Sequence, residues 1–153
     1  MSEPDMDPTS MPRDTQDTGP EQWSLRGDHP HNLESLLVLI ADDEAPIAET
    51  MALIVEDAGY MPLLAAHGRQ ALELARKWHP ALIISDLMMP YLDGAALIAA
   101  LRADAAADGQ AVPPIVLTTA ASHRRAQEAG ADAILRKPFS LEELEALLHQ
   151  FLG

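Results

Sequence analysis

Three short apolar runs in this chain each end on charged residues. Residues 36–41 run into Asp42-Asp43-Glu44, residues 81–85 into Asp86, and residues 133–136 into Lys137-Pro138. Runs of this length, bounded by Gly and Pro and separated by helix-patterned segments, read as strands buried on both faces. Such strands belong to a parallel sheet with helices on either side. In an open sheet of that kind, ligands bind at the carboxyl ends of the strands. Asp42, Asp43, Asp86 and Lys137 are therefore expected to converge on one site, with three carboxylates and one ammonium.

The alternation continues along the chain. Strands are expected at about 35–41, 61–65, 81–85, 115–118 and 133–136. Helices are expected at about 46–58, 69–78, 94–105, 122–129 and from 140 to the end. Pro46 falls in a first helical turn, where its missing N–H leaves no hydrogen bond unmade. Ile47, Met51, Ile54 and Val55 share one face of that helix, and Gly59 stops it. Ser140 with Glu143 three residues on forms a capping box, followed by an apolar stripe of Leu141, Leu144, Leu148 and Phe151. Five strand–helix pairs with short loops imply an α/β fold with a doubly wound, five-stranded parallel sheet. Right-handed crossovers and the strand order 2-1-3-4-5 follow.

Residues 1–32 are acidic and Pro-rich, with few apolar side chains, and are expected to be a disordered tail. Within them Trp23 and Leu25 could dock on something. His29 and His31 lack the carboxylate or Cys company of a metal site. Residues 33–153 form the expected domain, and 48% hydrophobic content is enough for one packed core. The absence of Cys excludes disulfides, thiol catalysis and Cys-ligated zinc. No apolar run is long enough to span a bilayer, and no secretory leader pattern opens the chain. A cytoplasmic location without membrane insertion is expected. The formal net charge is −14, and residues 1–30, with seven acids and two bases, account for −5 of it. The folded part is acidic too. That argues against direct nucleic-acid binding, which needs Lys and Arg to neutralise phosphates. The adjacent pair Arg124-Arg125 reads as a solvated helix face.

Three carboxylates packed together repel, so one should have a raised pKa unless a cation binds. Hard oxygen ligands suit Mg²⁺, which takes one or two carboxylates and keeps several waters. Bound Mg²⁺ favours a phosphoryl group nearby, and a carboxylate can act as nucleophile toward it. Lys137 can pair with an acid or a phosphoryl oxygen. Thr118-Thr119 supplies hydroxyls at the end of the fourth strand. Taken singly, these residues have ordinary readings: acids at a helix N-terminus, a turn Asp, a capping Thr, a solvated Lys. Together, at successive strand ends, they read as a site.

These residues carry a family resemblance. Residues 38–44 (VLIADDE), 85–94 (SDLMMPYLDG), 117–120 (LTTA), 130–132 (GAD) and 137–139 (KPF) resemble the receiver domain of two-component response regulators. The likeness runs from about residue 35 to the end. It implies a flavodoxin-like (βα)5 fold. It also implies that Asp86 is the phosphoacceptor and that Mg²⁺ is held by Asp43 directly, by Asp42 mostly through water, by Asp86 and by the Met88 backbone carbonyl. Thr119, directly before Ala120, would contact the phosphoryl group, whereas Thr118 faces the other way by strand alternation. Lys137 would hold a phosphoryl oxygen, and the Lys137–Pro138 bond would be cis.

Three features depart from that pattern. Ile134 stands at the switch position, three before Lys137, where the family carries an aromatic ring. The stretch from Thr119 to Lys137 is about one helical turn shorter than usual. No output domain is expected after the last helix. The resemblance implies a stand-alone receiver, not a conventional enzyme. It would be phosphorylated by a histidine kinase or histidine phosphotransfer protein, be read by a downstream protein partner, and exist as a monomer or weak dimer. Met88 and Ala121, two residues after Asp86 and Thr119, cannot orient an attacking water, so slow self-dephosphorylation is expected. The alternative is a phosphorylation-independent binding module with the same fold. An aspartyl-phosphate hydrolase fits less well, because Leu87 and Met88 follow Asp86 where a second acid would be needed and no cap-sized insertion exists.

Overall fold

A computed structural model describes residues 36–120 and 123–153. Strands and helices alternate along it: β1 (Leu37–Ala41), α1 (Ala45–Asp57), β2 (Met61–Ala65), α2 (Gly68–Trp78), β3 (Leu82–Asp86), α3 (Gly94–Asp108), β4 (Ile115–Thr119), α4 (His123–Glu128), β5 (Ala133–Arg136) and α5 (Leu141–Leu152). The strands make one parallel sheet in the order β2-β1-β3-β4-β5, as the sequence predicts. The expected tail, with Trp23, Leu25, His29 and His31, lies outside the described residues, as do Ala121 and Ser122.

Strand alternation explains why the runs are apolar throughout. Leu39, Ile83, Ile115 and Leu117 point to one face, where Ala71 and Ala75 of α2, Leu97, Ile98 and Leu101 of α3, and Ala126 of α4 cover them. Val38, Ile40, Leu82, Ile84, Val116 and Leu135 point to the other, against Ala48, Met51 and Val55 of α1 and Leu144 and Leu148 of α5. Neither face meets water, so neither needs polar residues.

Helix ends follow local chemistry. Pro46 lies in the first turn of α1, and Gly59 follows it at φ +100°. The Ser140 hydroxyl accepts the Glu143 N–H at 3.1 Å and the Glu143 carboxylate accepts the Ser140 N–H at 2.8 Å, which completes the expected capping box on α5. Helix α3 runs past the expected end at 105 to Asp108, because its Ala-rich last turns hold no stop before Gly109. Strands β3 and β4 each run one residue further than expected, taking in Asp86 and Thr119. The ladder continues there: the Leu87 N–H donates to the Thr118 carbonyl and the Lys137 N–H to the Thr119 carbonyl, each at 2.9 Å. The charged strand ends are therefore fixed by sheet hydrogen bonds. Among the described residues, no helix is long and apolar enough to cross a membrane.

Candidate functional site

Asp42 directly follows β1, Asp86 ends β3 and Lys137 directly follows β5, so the sheet brings all three to one edge. The Lys137 ammonium donates to Asp42 Oδ2 at 2.9 Å and to Asp86 Oδ2 at 3.1 Å. The second oxygens are also used. Asp42 Oδ1 accepts the Glu44 N–H at 2.9 Å, and Asp86 Oδ1 accepts the Met88 N–H at 3.3 Å. Both acids are buried, Asp42 at 3% exposure and Asp86 at 9%, whereas Asp43 stands exposed at the mouth. The Lys137–Pro138 bond is cis, as the resemblance implied.

Burial and charge act against each other here. Burial pushes the Asp86 carboxyl above the usual carboxylate range, and the Asp42 charge adds to this; the hydrogen bond and charge of Lys137 pull the other way without cancelling it. For Lys137, burial disfavours the charged form, but hydrogen bonds to Asp42 and Asp86 outweigh it and leave the ammonium's pKa raised. The ammonium is thus a fixed positive charge at neutral pH, set between two buried acids.

The donor set fits a hard divalent cation. One carboxylate oxygen from each of Asp42, Asp43 and Asp86 lies within 4.8 Å of the others. All three are oxygens, and Asp43 is open to water, as Mg²⁺ requires for the waters it retains.

The remaining predicted residues lie close by in sequence and fold. Thr119 is buried at the end of β4, and strand alternation puts it on the side of Leu117, facing α3 and α4. Ile134 of β5 packs half-buried against that same side. Met88 lies in the β3–α3 loop with its side chain exposed. Ala121 falls outside the described residues.

Sequence reasoning missed several supports of the β3–α3 loop. Asp93 Oδ1 caps α3 by accepting the Ala96 N–H at 2.8 Å, a role its place just before a helical pattern could have revealed. A Cβ on Gly94 would come 2.7 Å from Leu117 Cδ2 and 2.8 Å from the Asp86 carbonyl, so only glycine lets α3 start against the site strand. Arg125 is not simply solvated: its guanidinium lies 3.4 Å from Met88 Sδ and 3.6 Å from Asp93 Oδ2. Nothing local in the sequence signals that reach from α4.

The response regulator receiver domain matches residues 38–149. The chain belongs to this family. Among curated relatives, the receiver is 36% identical over 124 residues to Response regulator Rre1 of Synechocystis, covering 78% of this chain and 53% of that protein. It is 38% identical over 118 residues to Response regulator MprA of Mycolicibacterium vanbaalenii, covering 75% and 49%. It thus spans about half the length of the curated relatives it matches. The solved chemotaxis response regulator CheY4 of Vibrio cholerae superposes with a TM-score of 0.69 at 32% identity, covering 77% of this chain and 99% of that one. Receivers are phosphoacceptor signalling modules, and the acidic cluster described above is a place where this one could hold a metal ion.

Proposed function

We propose that this receiver accepts a phosphoryl group on Asp86 from a phosphohistidine of a sensor kinase or phosphotransfer protein, and signals through a protein-binding surface that the phosphoryl group switches. The observation that supports it best is the Lys137 ammonium bridging buried Asp42 and Asp86 within a cluster of three carboxylates. A purely structural fold gains little from burying two acids on one lysine, since desolvation offsets most of the attraction.

In this reading an Asp86 carboxylate oxygen attacks the phosphorus of the donor. A P–O bond forms, the P–N bond breaks, and its electron pair returns to the imidazole nitrogen, which takes up a proton. Asp42, Asp43, Asp86 and the Met88 carbonyl would hold Mg²⁺, which when bound neutralises charge on the transferring group. Lys137 pairs with a phosphoryl oxygen, and Thr119 contacts another. Ile134 and the β4–α4–β5 face carry the change outward. Ile134 passes it on by packing alone, since it has no hydroxyl or ring to exchange partners. We place the protein in the cytoplasm, as a monomer or weak dimer read by a downstream protein and making no direct contact with nucleic acid.

Intact-mass measurement with acetyl phosphate and Mg²⁺ tests this. One phosphoryl addition is expected, and it disappears in Asp86→Asn with the fold retained. An Asp86→Asn chain that labels like wild type sinks the assignment. A second reading, a phosphorylation-independent binding module, draws on the short α4, of six residues, and on Ile134. Absence of both labelling and Mg²⁺ binding would favour it.

A further inference from the structure

Thr118 shares a sheet face with Asp86 and Lys137. Thr118 is the register partner of Asp86 on one side and of Leu135 on the other. Partners in a parallel ladder point to the same side. Leu135 packs with Val116, Ile84 and Leu144 on the α1–α5 face, and Lys137 lies two residues beyond Leu135 on the same alternation. To reach Asp86 on β3 and Asp42 beyond β1, the Lys137 side chain must leave β5 and cross β4. On β4, the position in register with Asp86 on that face is Thr118.

The Thr118 hydroxyl is 1% exposed as a residue and makes no hydrogen bond among the described residues. A buried hydroxyl without a partner is unfavourable, and a core strand position would accept Val of the same shape at no such cost. Lys137 offers three N–H donors, of which Asp42 and Asp86 take two. When Asp86 becomes an acyl phosphate, its oxygen loses the carboxylate charge, and the ammonium must turn toward the phosphoryl oxygens.

We propose that Thr118 is a positioning residue for Lys137: its hydroxyl, unpartnered in the resting site, accepts an ammonium N–H once the phosphoryl group is on Asp86, and so holds Lys137 against that group. The proposal rests on Asp86 being the phosphoacceptor. It makes the switched state the one in which the Thr118 hydroxyl is paired, which biases the receiver toward it.

The test uses the full chain with acetyl phosphate and Mg²⁺, following the rate of phosphoryl gain by intact mass for wild type, Thr118→Val, Thr118→Ser and Asp86→Asn. Thr118→Val is expected to label at least about tenfold more slowly, the effect of one hydrogen bond to a charged group lost at the transferring phosphoryl. It should also melt at or above the wild-type temperature, because the unpartnered hydroxyl is gone. Thr118→Ser, which keeps the hydroxyl, should restore the rate. Wild-type labelling rates in Thr118→Val overturn the proposal and leave Asp86 untouched as acceptor. Equal slowing in Val and Ser variants makes the effect one of packing and also overturns it. Labelling that persists in Asp86→Asn, or a wild type that never labels, removes the underlying reading and the proposal with it.

Discussion

Asp86 is held in the sheet at some expense to stability. Its folded pKa lies above the unfolded value of 3.8, first because of burial and then because of Asp42, with Lys137 opposing both. In the window between the two values the folded state binds more protons than the unfolded state, so stability falls as pH rises through it. Above the folded pKa the full penalty is present. Asp86→Asn carries no charge and escapes it. In metal-free buffer near neutral pH, the variant is expected to melt a few degrees above wild type, with the gain shrinking as the pH falls toward 3.8. Paired thermal melts across that range check the sign, and a variant less stable at every pH contradicts it. Asp42, Asp43, Asp86 and Lys137 were legible as candidates because charge at the end of an apolar run is a local signal. The solitary Thr118 hydroxyl was not, because an orphaned atom exists only relative to neighbours on other strands.

At the scale of elements, the β3–α3 loop is braced from several sides. Tyr91 has a left-handed φ of 71°, unusual for a bulky residue, and its ring packs edge-on against His67, 4.9 Å between centroids. His67 in turn caps α2, its Nδ1 accepting the Gln70 N–H at 3.1 Å. Gly68 backs the loop so closely that an added Cβ would fall on the Leu92 carbonyl oxygen. Gly68→Ala must therefore push the loop or the helix start aside, costing about 1–3 kcal/mol. Because this loop carries Met88, the same variant is expected to slow Asp86 labelling. Chemical denaturation and the mass assay read the two effects, and a variant that loses stability but labels normally would detach the loop from the chemistry. The α4 segment is tied down as well: Arg102 of α3 donates to the Gly130 carbonyl at 2.7 Å just past its end. The sequence located α4, but Arg124-Arg125 as a solvated pair described only Arg124, since Arg125 finds Asp93 across the fold.

Across the whole molecule, a net charge of −14 on 153 residues sets the background for every acidic interaction. Self-repulsion of this kind destabilises a compact state and is screened by salt. Raising NaCl from low ionic strength is expected to raise the melting temperature smoothly. Mg²⁺ at matched ionic strength should add a further, saturating increment, since a ligand that binds only the folded state stabilises it by mass action. Asp43→Asn should keep the NaCl response and lose most of the Mg²⁺ increment, because it removes an exposed carboxylate of the cluster while leaving the Lys137 pairing in place. Identical Mg²⁺ responses in the two proteins would place the ion elsewhere. Self-dephosphorylation belongs to this scale too, because it sets how long the switched state lasts. With Met88 and Ala121 at the two positions that would steer water, the phosphoryl group is expected to persist well beyond seconds, and a chase after removal of the donor measures it.

By itself the sequence determined the alternation of strands and helices, the parallel sheet and its order, the caps at Ser140 and Gly59, and the charged strand ends. Each of these rests on periodicity or turn chemistry carried by residues a few positions apart. Only the tertiary structure decided which atoms meet. Lys137 chooses Asp42 and Asp86, 95 and 51 residues away, while Asp43 stays at the mouth. Thr118 comes to lie in register with Asp86, Gly68 against Leu92, and Arg125 beside Asp93. Such pairings depend on how helices pack across the sheet and on which rotamers that packing allows, and no pattern within a single element encodes them.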